Sequence, residues 1–346
     1  MIFLQSVVLY CVRALGGFSL AQYLTRRRLR ILCYHGFSIG DEYVIMPLMF
    51  MRAETFERRM RILKKRRVPV VPLDEAVRKF RQHEIGHAET VLTLDDGWSS
   101  NLTIGVPILQ RYGYPACIYL STEHLAADPE VFNVILSYMI QQSKKDTLTL
   151  AGLHPKLDGT YDLRGDTEAV TVALISAAEE AFPLAERQQQ LRYFADALGM
   201  DLDEVLKGGR FRLLERASVV ELFRRGIDIQ LHTHTHRLPD HDFEAMAREI
   251  TENRTAIKEL VGSEPHHFCY PSGIYTDQHA QWLQRLGIDS ATTCDPGLND
   301  SKTSVMRLKR YLDSEEASDI AFEAEICGVR ELARVIRSAT TRLLGG

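Results

Sequence analysis

Short apolar strands alternate with amphipathic helical patterns along most of this chain, and no other feature constrains its fold as strongly. The spacing predicts five main strands, at residues 31–35, 91–94, 116–120, 227–231 and 267–270. It also predicts short strands at 68–71 and near 288–293 and 304–308. Strands that alternate with helices form parallel sheets with the helices packed outside. The sequence therefore predicts an α/β fold. With 346 residues the chain can bury a full core, as one large domain or as two.

The alternation is interrupted between about residues 123 and 214, where polar loops surround two helical patterns. This stretch is too long for a bare loop in a compact domain. We expect a mostly helical insertion that carries substrate contacts or a lid, or that serves only in packing. Residues 1–29 are predicted to form an N-terminal helix and residues 315–346 a C-terminal helical segment. Residues 30–314 then form the main domain.

The N-terminal segment is mostly apolar up to residue 24, and arginines follow it. It has no uninterrupted run of 18 apolar residues for a spanning helix, and a secretory signal carries its positive charge before the apolar core rather than after it. We expect a helix packed on the domain. The alternative is a helix that lies on a membrane surface with its arginines at anionic headgroups.

Charge and cysteine content narrow the functional classes. A net charge of −4 argues against nucleic acid as the main partner, because such proteins favour a strongly basic face. The six cysteines are scattered, and several lie inside apolar runs. This pattern is typical of buried free thiols rather than of disulfides or a zinc ribbon. We expect a cytoplasmic protein, with peripheral contact at the inner face of a membrane as the alternative.

Three polar motifs begin where predicted strands end, at residues 95–97, 232–236 and 270–273. In a parallel barrel or a doubly wound sheet, active-site groups collect at the carboxyl ends of the strands. The three motifs are therefore predicted to meet at one rim of the fold.

The residue types in these motifs are those of a metal site. Two adjacent carboxylates, Asp95 and Asp96, repel each other and need a cation or a shared proton if both point into one site. His232 and His236 are four residues apart and would face the same side of a helical turn, whereas His234 would point elsewhere. Two imidazoles and one carboxylate commonly hold a divalent metal and leave positions open for water and substrate. A histidine-rich surface loop is the alternative for this segment taken alone.

Together the motifs resemble the polysaccharide deacetylases, the NodB-homology family of carbohydrate esterases (family 4). Residues 93–97 (Thr-Leu-Asp-Asp-Gly) look like the first family motif, and residues 232–236 match the second, His-Ser/Thr-x-x-His. Residues 268–273 are similar to the Phe-Ala-Tyr-Pro-x-Gly form of the third, and residues 32–35 to the opening of that branch. The resemblance covers roughly residues 30–310. It implies a distorted (β/α) barrel of the NodB type and metal-dependent removal of acyl groups from amino sugars.

The resemblance also implies roles for single residues. Asp95 becomes the general base. A divalent metal, zinc first and cobalt, nickel or manganese as alternatives, is held by three residues, Asp96, His232 and His236. The third motif supplies the backbone that binds substrate and oxyanion, at Tyr270, Pro271 and Gly273.

The sequence departs from the family at two places. The third motif lacks the arginine that orients the base in many members, and Arg310 is the candidate that replaces it. The last family motif supplies the general acid from a histidine, yet no histidine follows His279. His35 is the first candidate acid and His234 the second. The alternative for His35 is a strand-end histidine bonded to a loop, and for Arg310 a surface residue.

The leading hypothesis is a hydrolase that removes N-acetyl groups from amino sugars of a polysaccharide or a lipid-linked glycan precursor. Asp95 acts as base while a metal-activated water attacks the amide. One alternative is hydrolysis of another non-peptide C–N bond, in a cyclic amide or ureide. The other is a glycan-binding protein that keeps the fold and has lost turnover.

Overall fold

The structure is a computed structural model that describes residues 2–126 and 130–344. Its described strands, in chain order, are β1 (Arg30–Tyr34), β2 (Gly36–Phe37), β3 (Phe50–Met51), β4 (Thr90–Asp96), β5 (Cys117–Leu120), β6 (Thr147–Leu150), β7 (Gly159–Asp162), β8 (Asp228–Leu231), β9 (His267–Cys269), β10 (Ser290–Thr292) and β11 (Tyr311–Leu312). Seven of them form one parallel sheet in the order β10-β9-β8-β5-β4-β1-β11. The predicted α/β class with a parallel sheet is confirmed.

The described helices pack around this sheet and in the insertion. They are α1 (Ile2–Ala14), α2 (Gly17–Leu24), α3 (Glu42–Ile45), α4 (Ala53–Lys65), α5 (Leu73–Arg81), α6 (Val106–Tyr112), α7 (Phe132–Gln142), α8 (Thr167–Ala181), α9 (Leu184–Leu198), α10 (Leu202–Val205), α11 (Arg216–Arg224), α12 (Phe243–Val261), α13 (Asp277–Arg285), α14 (Asp319–Ile326) and α15 (Val329–Leu344).

The sheet closes into a distorted barrel through the segment 308–312. Leu308 forms a parallel bridge with Thr292 of β10, and β11 pairs with β1 at the opposite edge. The two edges of the sheet therefore meet across this one segment. A strand was predicted near residues 304–308. The structure has instead a 3-10 turn at Val305–Arg307 followed by the closing segment.

Both faces of the central strands are buried, which explains their near-continuous apolar sequences. Leu92 and Leu94 of β4 face the outer helices, whereas Val91 lies on the inner side. Helix α5 packs its apolar stripe against the inner side, through Leu73, Ala76, Val77 and Phe80. The barrel interior is thus filled at one end by a helix and at the other by the predicted site residues.

Strand β4 is longer than the sequence predicted, because it continues through both acids. Asp95 pairs with Tyr119 and Asp96 with Leu120 of β5. The short strand expected at residues 68–71 reduces to a single bridge between Val70 and Thr90. Pro69 and Pro72 flank Val70 and Val71. Neither proline has an amide hydrogen to donate to a neighbouring strand, so the pairing does not extend.

The insertion has a core of its own, as its length requires. Helices α7, α8 and α9 pack together over this core, and β6 and β7 form an antiparallel hairpin that the sequence did not reveal. Phe50 and Trp98 of the barrel side belong to the same cluster. The amide of Leu214 donates to the carbonyl of Gly97 at 2.7 Å. The insertion therefore ends directly beside the predicted site.

The prediction of one N-terminal helix was wrong, since α1 and α2 are separate helices bent by 82°. The bend lies at Gly16, whose φ of +80° is a left-handed conformation that glycine adopts readily. Helices α1 and α2 pack on α14 and α15, where Arg28 lies 2.6 Å from Glu331. Within the described residues no single helix is long and apolar enough to cross a membrane; α1 and α2 reach that hydropathy only together.

Candidate active site

Asp96 occupies a tight left-handed turn at the end of β4. Its φ is +70° and that of Gly97 is +89°. A Cβ on Gly97 would lie 2.4 Å from Leu120 Cδ1, so the turn requires glycine. The indole Nε1 of Trp98 donates to Asp96 Oδ2 at 3.1 Å. This bond leaves Asp96 Oδ1 directed at the two histidines.

His232 is held by its neighbours so that Nε2 faces Asp96. Its Nδ1 lies 2.9 Å from the carbonyl oxygen of Cys269, which can only accept, so Nδ1 carries the hydrogen. Its backbone amide donates to Asn253 Oδ1 at 3.0 Å. Such outer hydrogen bonds typically orient a metal-binding imidazole.

Residues 232–236 form an irregular turn and not the helical turn expected from their spacing. Thr233 and His236 both have left-handed backbones, with φ of +64° and +59°. Glu249 holds the turn by accepting bonds from the amide and the hydroxyl of Thr235, each at 2.8 Å. His234 points away, as predicted, with its Nδ1 2.9 Å from Thr122 Oγ1.

The three predicted ligands converge with spacings that suit a divalent metal. Asp96 Oδ1 lies 3.3 Å from Nε2 of His232 and 3.3 Å from Nε2 of His236. Ligand atoms about 2.0–2.1 Å from a tetrahedral ion are roughly 3.3–3.4 Å apart, so these residues fit such an ion. Burial lowers the pKa of His232, but Asp96 and Asp95 outweigh it and raise that pKa. The site therefore favours a positive charge.

Asp95 is held by Arg310 within the barrel. Arg310 Nη1 donates to Oδ1 and Nη2 to Oδ2, each at 2.8 Å, while Nε donates to the carbonyl of Thr293. Burial raises the pKa of Asp95, but the charge and hydrogen bonds of Arg310 outweigh it and lower this pKa to about 2. Asp95 is therefore ionised at neutral pH. The surface alternative for Arg310 is wrong, because its side chain is fully buried.

Two thiols complete the surroundings of Asp95, and neither of them was predicted from the sequence to contact this carboxylate. Cys33 Sγ and Cys269 Sγ lie 3.4 Å and 3.5 Å from Asp95 Oδ2. Burial raises the pKa of both cysteines, so they stay neutral and donate weakly to the carboxylate.

His35 lies beside this carboxylate, one residue beyond β1. A ring nitrogen of His35, Cys33 Sγ and an oxygen of Asp95 are all within 4.8 Å of one another. The Nδ1 atom of His35 is buried and has no hydrogen-bond partner within the described part of the chain. The geometry thus places His35, and not His234, next to Asp95.

The third motif lies at the rim, but the amides of Tyr270 and Gly273 are used within the fold. The Tyr270 amide donates to the carbonyl of Thr292 at 3.1 Å, extending the pairing of β9 with β10. The Gly273 amide donates to the Tyr270 carbonyl at 3.0 Å, and Pro271 has no amide hydrogen. The expected oxyanion donors at Tyr270 and Gly273 are therefore already paired, because the motif is a strand extension followed by a 3-10 turn.

Comparison with known proteins identifies the family that this site resembles. The family model for polysaccharide deacetylases matches residues 205–291, one quarter of the chain. That segment contains His232, His236 and the third motif, whereas Asp95 and Asp96 lie outside it. Among curated proteins, none matches the sequence.

Solved structures extend the similarity to most of the chain. The Streptococcus pyogenes deacetylase PplD, in complex with acetate, has a TM-score of 0.57 at 15% identity, with 86% of this chain and 98% of that chain covered. IcaB from Ammonifex degensii has a TM-score of 0.56 at 16% identity and covers 87% and 97%. A de-N-acetylase from Aggregatibacter actinomycetemcomitans has a TM-score of 0.50 at 12% identity and covers 84% and 97%.

The chain has the polysaccharide deacetylase fold. The predicted resemblance to this family and the predicted NodB-type barrel are both confirmed. The family match also supports the predicted enzyme class, a hydrolase of non-peptide carbon–nitrogen bonds. At these low identities the solved structures establish the fold, so the substrate and the roles of single residues have to be argued from the site.

Proposed function

We propose that this protein is a metal-dependent N-deacetylase that removes acetyl groups from amino sugars of a surface glycan or its lipid-linked precursor. One observation carries the proposal: Asp96, His232 and His236 converge on one point beside a buried carboxylate, Asp95, that Arg310 keeps ionised.

The ligand set of two imidazoles and one carboxylate favours zinc, with cobalt, nickel or manganese as alternatives. When bound, a divalent ion activates a water and polarises the amide carbonyl. Asp95 would accept the proton of the attacking water, since it is ionised and directly precedes Asp96 on β4. Arg310 acts as a positioning residue, because it holds both oxygens of this base.

We assign the general acid to His35. The leaving amine of an acetamide needs a proton, and the described site offers few groups that carry one. His35 lies within reach of Asp95 and has an unpartnered ring nitrogen, whereas His234 is turned toward Thr122. A histidine after β1 would in this way replace the histidine missing from the last family motif.

The proposal is tested by measuring bound zinc and acetate release from N-acetylglucosamine oligomers. Asp95→Asn should keep the zinc and lose about 10²–10⁴-fold in kcat. His232→Ala should lose activity and the zinc ion held at this site, and His241→Ala, at an exposed position, serves as the matched control. An active Asp95→Asn protein, or unchanged zinc in His232→Ala, would overturn the site assignment.

A glycan-binding protein without turnover is the second candidate. The paired amides of Tyr270 and Gly273 favour it, because an amide hydrolase needs donors for the developing oxyanion. Binding of N-acetylglucosamine oligomers without acetate release, with zinc bound, would support this candidate. Ring opening of a cyclic amide or ureide to its open-chain acid, without acetate release from the glycan, would point to the other class of C–N bond.

We further propose a cytoplasmic location with peripheral contact at the inner face of a membrane, through α1 and α2. The support is a group of exposed apolar side chains on these helices and at their junction: Val7, Val8, Tyr10, Leu15, Leu20, Tyr23 and Leu24. Arginines follow directly at positions 26–28 and suit anionic headgroups. Co-sedimentation with vesicles of anionic lipid, lost in Leu15→Glu/Leu20→Glu and weak with neutral vesicles, is the expected result.

A further inference from the structure

A second cluster of metal-ligating side chains lies at the end of the barrel opposite to Asp96. His266 and His267 stand at the amino-terminal end of β9, and Asp289 directly precedes β10. Asp74 lies in the first turn of α5, the helix that packs inside the barrel. None of these residues contributes to the proposed deacetylase site, which uses the carboxyl ends of the strands.

The spacings in this cluster are close to those of the first site. Asp74 Oδ1 lies 3.5 Å from His266 Nε2 and 3.6 Å from His267 Nε2. Asp289 Oδ2 lies 3.9 Å from His266 Nε2. Ligands of a tetrahedral zinc ion are roughly 3.3–3.4 Å apart, so small side-chain movements bring these atoms into a coordination shell.

The second observation is an unpartnered nitrogen aimed at the cluster. His267 is fully buried, and its Nε2 has no hydrogen-bond partner within the described part of the chain. Its distance of 3.6 Å to Asp74 is too long for a hydrogen bond. A buried polar atom left without a partner is costly, and a bound ion at this point would satisfy it.

The outer contacts of both imidazoles leave Nε2 free for a ligand bond. His266 Nδ1 lies 3.2 Å from the carbonyl of Glu264, which can only accept, so Nδ1 carries the hydrogen and Nε2 the lone pair. His267 Nδ1 lies 2.8 Å from Ser290 Oγ. Bonds from the far ring nitrogen to oxygen are the usual support of metal-binding histidines.

The lone pairs that converge at the cluster favour a cation over an anion. A cavity of about 330 Å³ opens here, lined by Asp74, His267 and Asp289 as well as by Arg78 and Arg81. Arg81 Nη1 lies 3.2 Å from Asp289 Oδ1, which leaves Oδ2 facing His266. The Asp74 carboxylate and the Nε2 atoms of His266 and His267 present lone pairs to one point, an arrangement that a divalent ion relieves.

We propose that Asp74, His266 and His267, with Asp289 as fourth ligand, bind a structural zinc ion. Four protein ligands of this kind leave no open position, as is usual for structural zinc. The ion would fasten α5 to the amino-terminal end of the barrel, because Asp74 belongs to α5 and the other ligands lie at the starts of β9 and β10.

The test counts zinc ions on the full-length protein after saturation and desalting, by mass spectrometry of the metal. We expect about two ions per chain in the wild type and about one in His232→Ala/His236→Ala, which lacks the first site. Adding Asp74→Asn to that variant should remove the remaining ion. Asp74 is 77% exposed at its side chain, so this change leaves folding intact.

Glu75→Gln in the same background is the matched control, because it removes an equal charge from the next residue of α5. Zinc should raise the Tm of the control and of the His232→Ala/His236→Ala protein, and should leave the Asp74→Asn combination unchanged. The proposal is overturned if His232→Ala/His236→Ala binds no zinc, if Asp74→Asn does not change the count, or if inorganic phosphate rather than zinc raises the Tm. The second zinc ion can still be counted in a protein that lacks the first site, so a failure of this proposal is distinguishable from a failure of the proposed deacetylase function.

Discussion

Arg310 contacts both oxygens of Asp95, with Nη1–Oδ1 and Nη2–Oδ2 distances of 2.8 Å, and both side chains are buried. A planar guanidinium that meets a carboxylate in this bidentate manner fixes its orientation as well as its charge. The arginine comes from the segment that closes the barrel between β10 and β1. The segment that closes the barrel is therefore also the segment that positions the proposed base.

Replacing Arg310 should change the pH dependence of the reaction. In Arg310→Met the burial of Asp95 is no longer opposed, so its pKa rises from about 2. Asp95 accepts a proton only when ionised, so activity falls as the pH drops through the raised pKa, and the acid limb of kcat/KM moves to higher pH. Breaking a buried ion pair should also destabilise the fold by about 3–5 kcal/mol. The pH profile of acetate release measures the first effect and urea unfolding the second.

Arg310→Lys is the control for charge without the bidentate contact. It should shift the acid limb less than Arg310→Met does, because the ammonium still opposes the burial of Asp95. An acid limb of Arg310→Met that coincides with that of the wild type would show that Arg310 does not keep Asp95 ionised.

Trp98 should affect the affinity of the site for metal, although its side chain is not a metal ligand. Trp98→Phe removes the N–H that donates to Asp96 Oδ2 at 3.1 Å and keeps an aromatic ring against Phe50. Loss of such an outer hydrogen bond typically weakens metal binding by about 10–100-fold. Competition with a chelator gives the zinc Kd. Phe50→Leu, which loses the ring contact but keeps the indole N–H, should retain the wild-type Kd, and equal weakening in both variants would attribute the effect to packing.

His35→Gln should act on the leaving group. If His35 protonates the departing amine, its loss lowers kcat by about 10²–10⁴-fold on an acetylated amino sugar. The loss should be much smaller on an acetanilide with an electron-withdrawing ring, whose leaving group needs less protonation. Zinc content should stay unchanged. Equal losses on both substrates would contradict an acid role, and His234→Gln, which alters the histidine turned away from Asp95, is the control.

Gly97→Ala should disturb Asp96 by crowding. At φ +89° an added Cβ lies 2.4 Å from Leu120 Cδ1, so backbone strain and a clash combine next to the metal ligand. Gly113→Ala, at φ +66° with no atom within 4 Å of its Cβ, measures the strain alone, about 1–2 kcal/mol. Gly97→Ala should lower the Tm more than Gly113→Ala and should also weaken zinc binding. If Gly97→Ala and Gly113→Ala have equal Tm values and zinc binding is unchanged, the Leu120 side chain moves aside without displacing Asp96.

Several features followed from local sequence because their causes are local. The period of the apolar residues specified most strands and helices, and the adjacent acids Asp95 and Asp96 at a strand end indicated a cation or a shared proton there. Features that depend on distant contacts did not follow. The hairpin β6–β7 is stabilised by the insertion core, and the break between α1 and α2 depends on how they pack against α14 and α15.

The turn at residues 232–236 shows most clearly what local sequence could not predict. Spacing of four correctly paired His232 with His236, but for the wrong reason, because the rings meet through two left-handed residues and not through a helix. That backbone is held by Glu249, which lies in α12 and is distant in sequence. Local propensity carries no information on such a contact.

The parallel α/β class, the rim at which Asp95, Asp96 and His232 meet, and the family that they resemble could all be inferred from sequence alone. The folded chain was needed to show that Arg310 is buried on Asp95, that the amides of Tyr270 and Gly273 are already paired, and that His35 lies beside Asp95. It also brought Asp74 of α5 to the two histidines at the start of β9. The reason is that periodicity and motif spacing encode contacts within a segment, whereas these relations arise from closing the barrel.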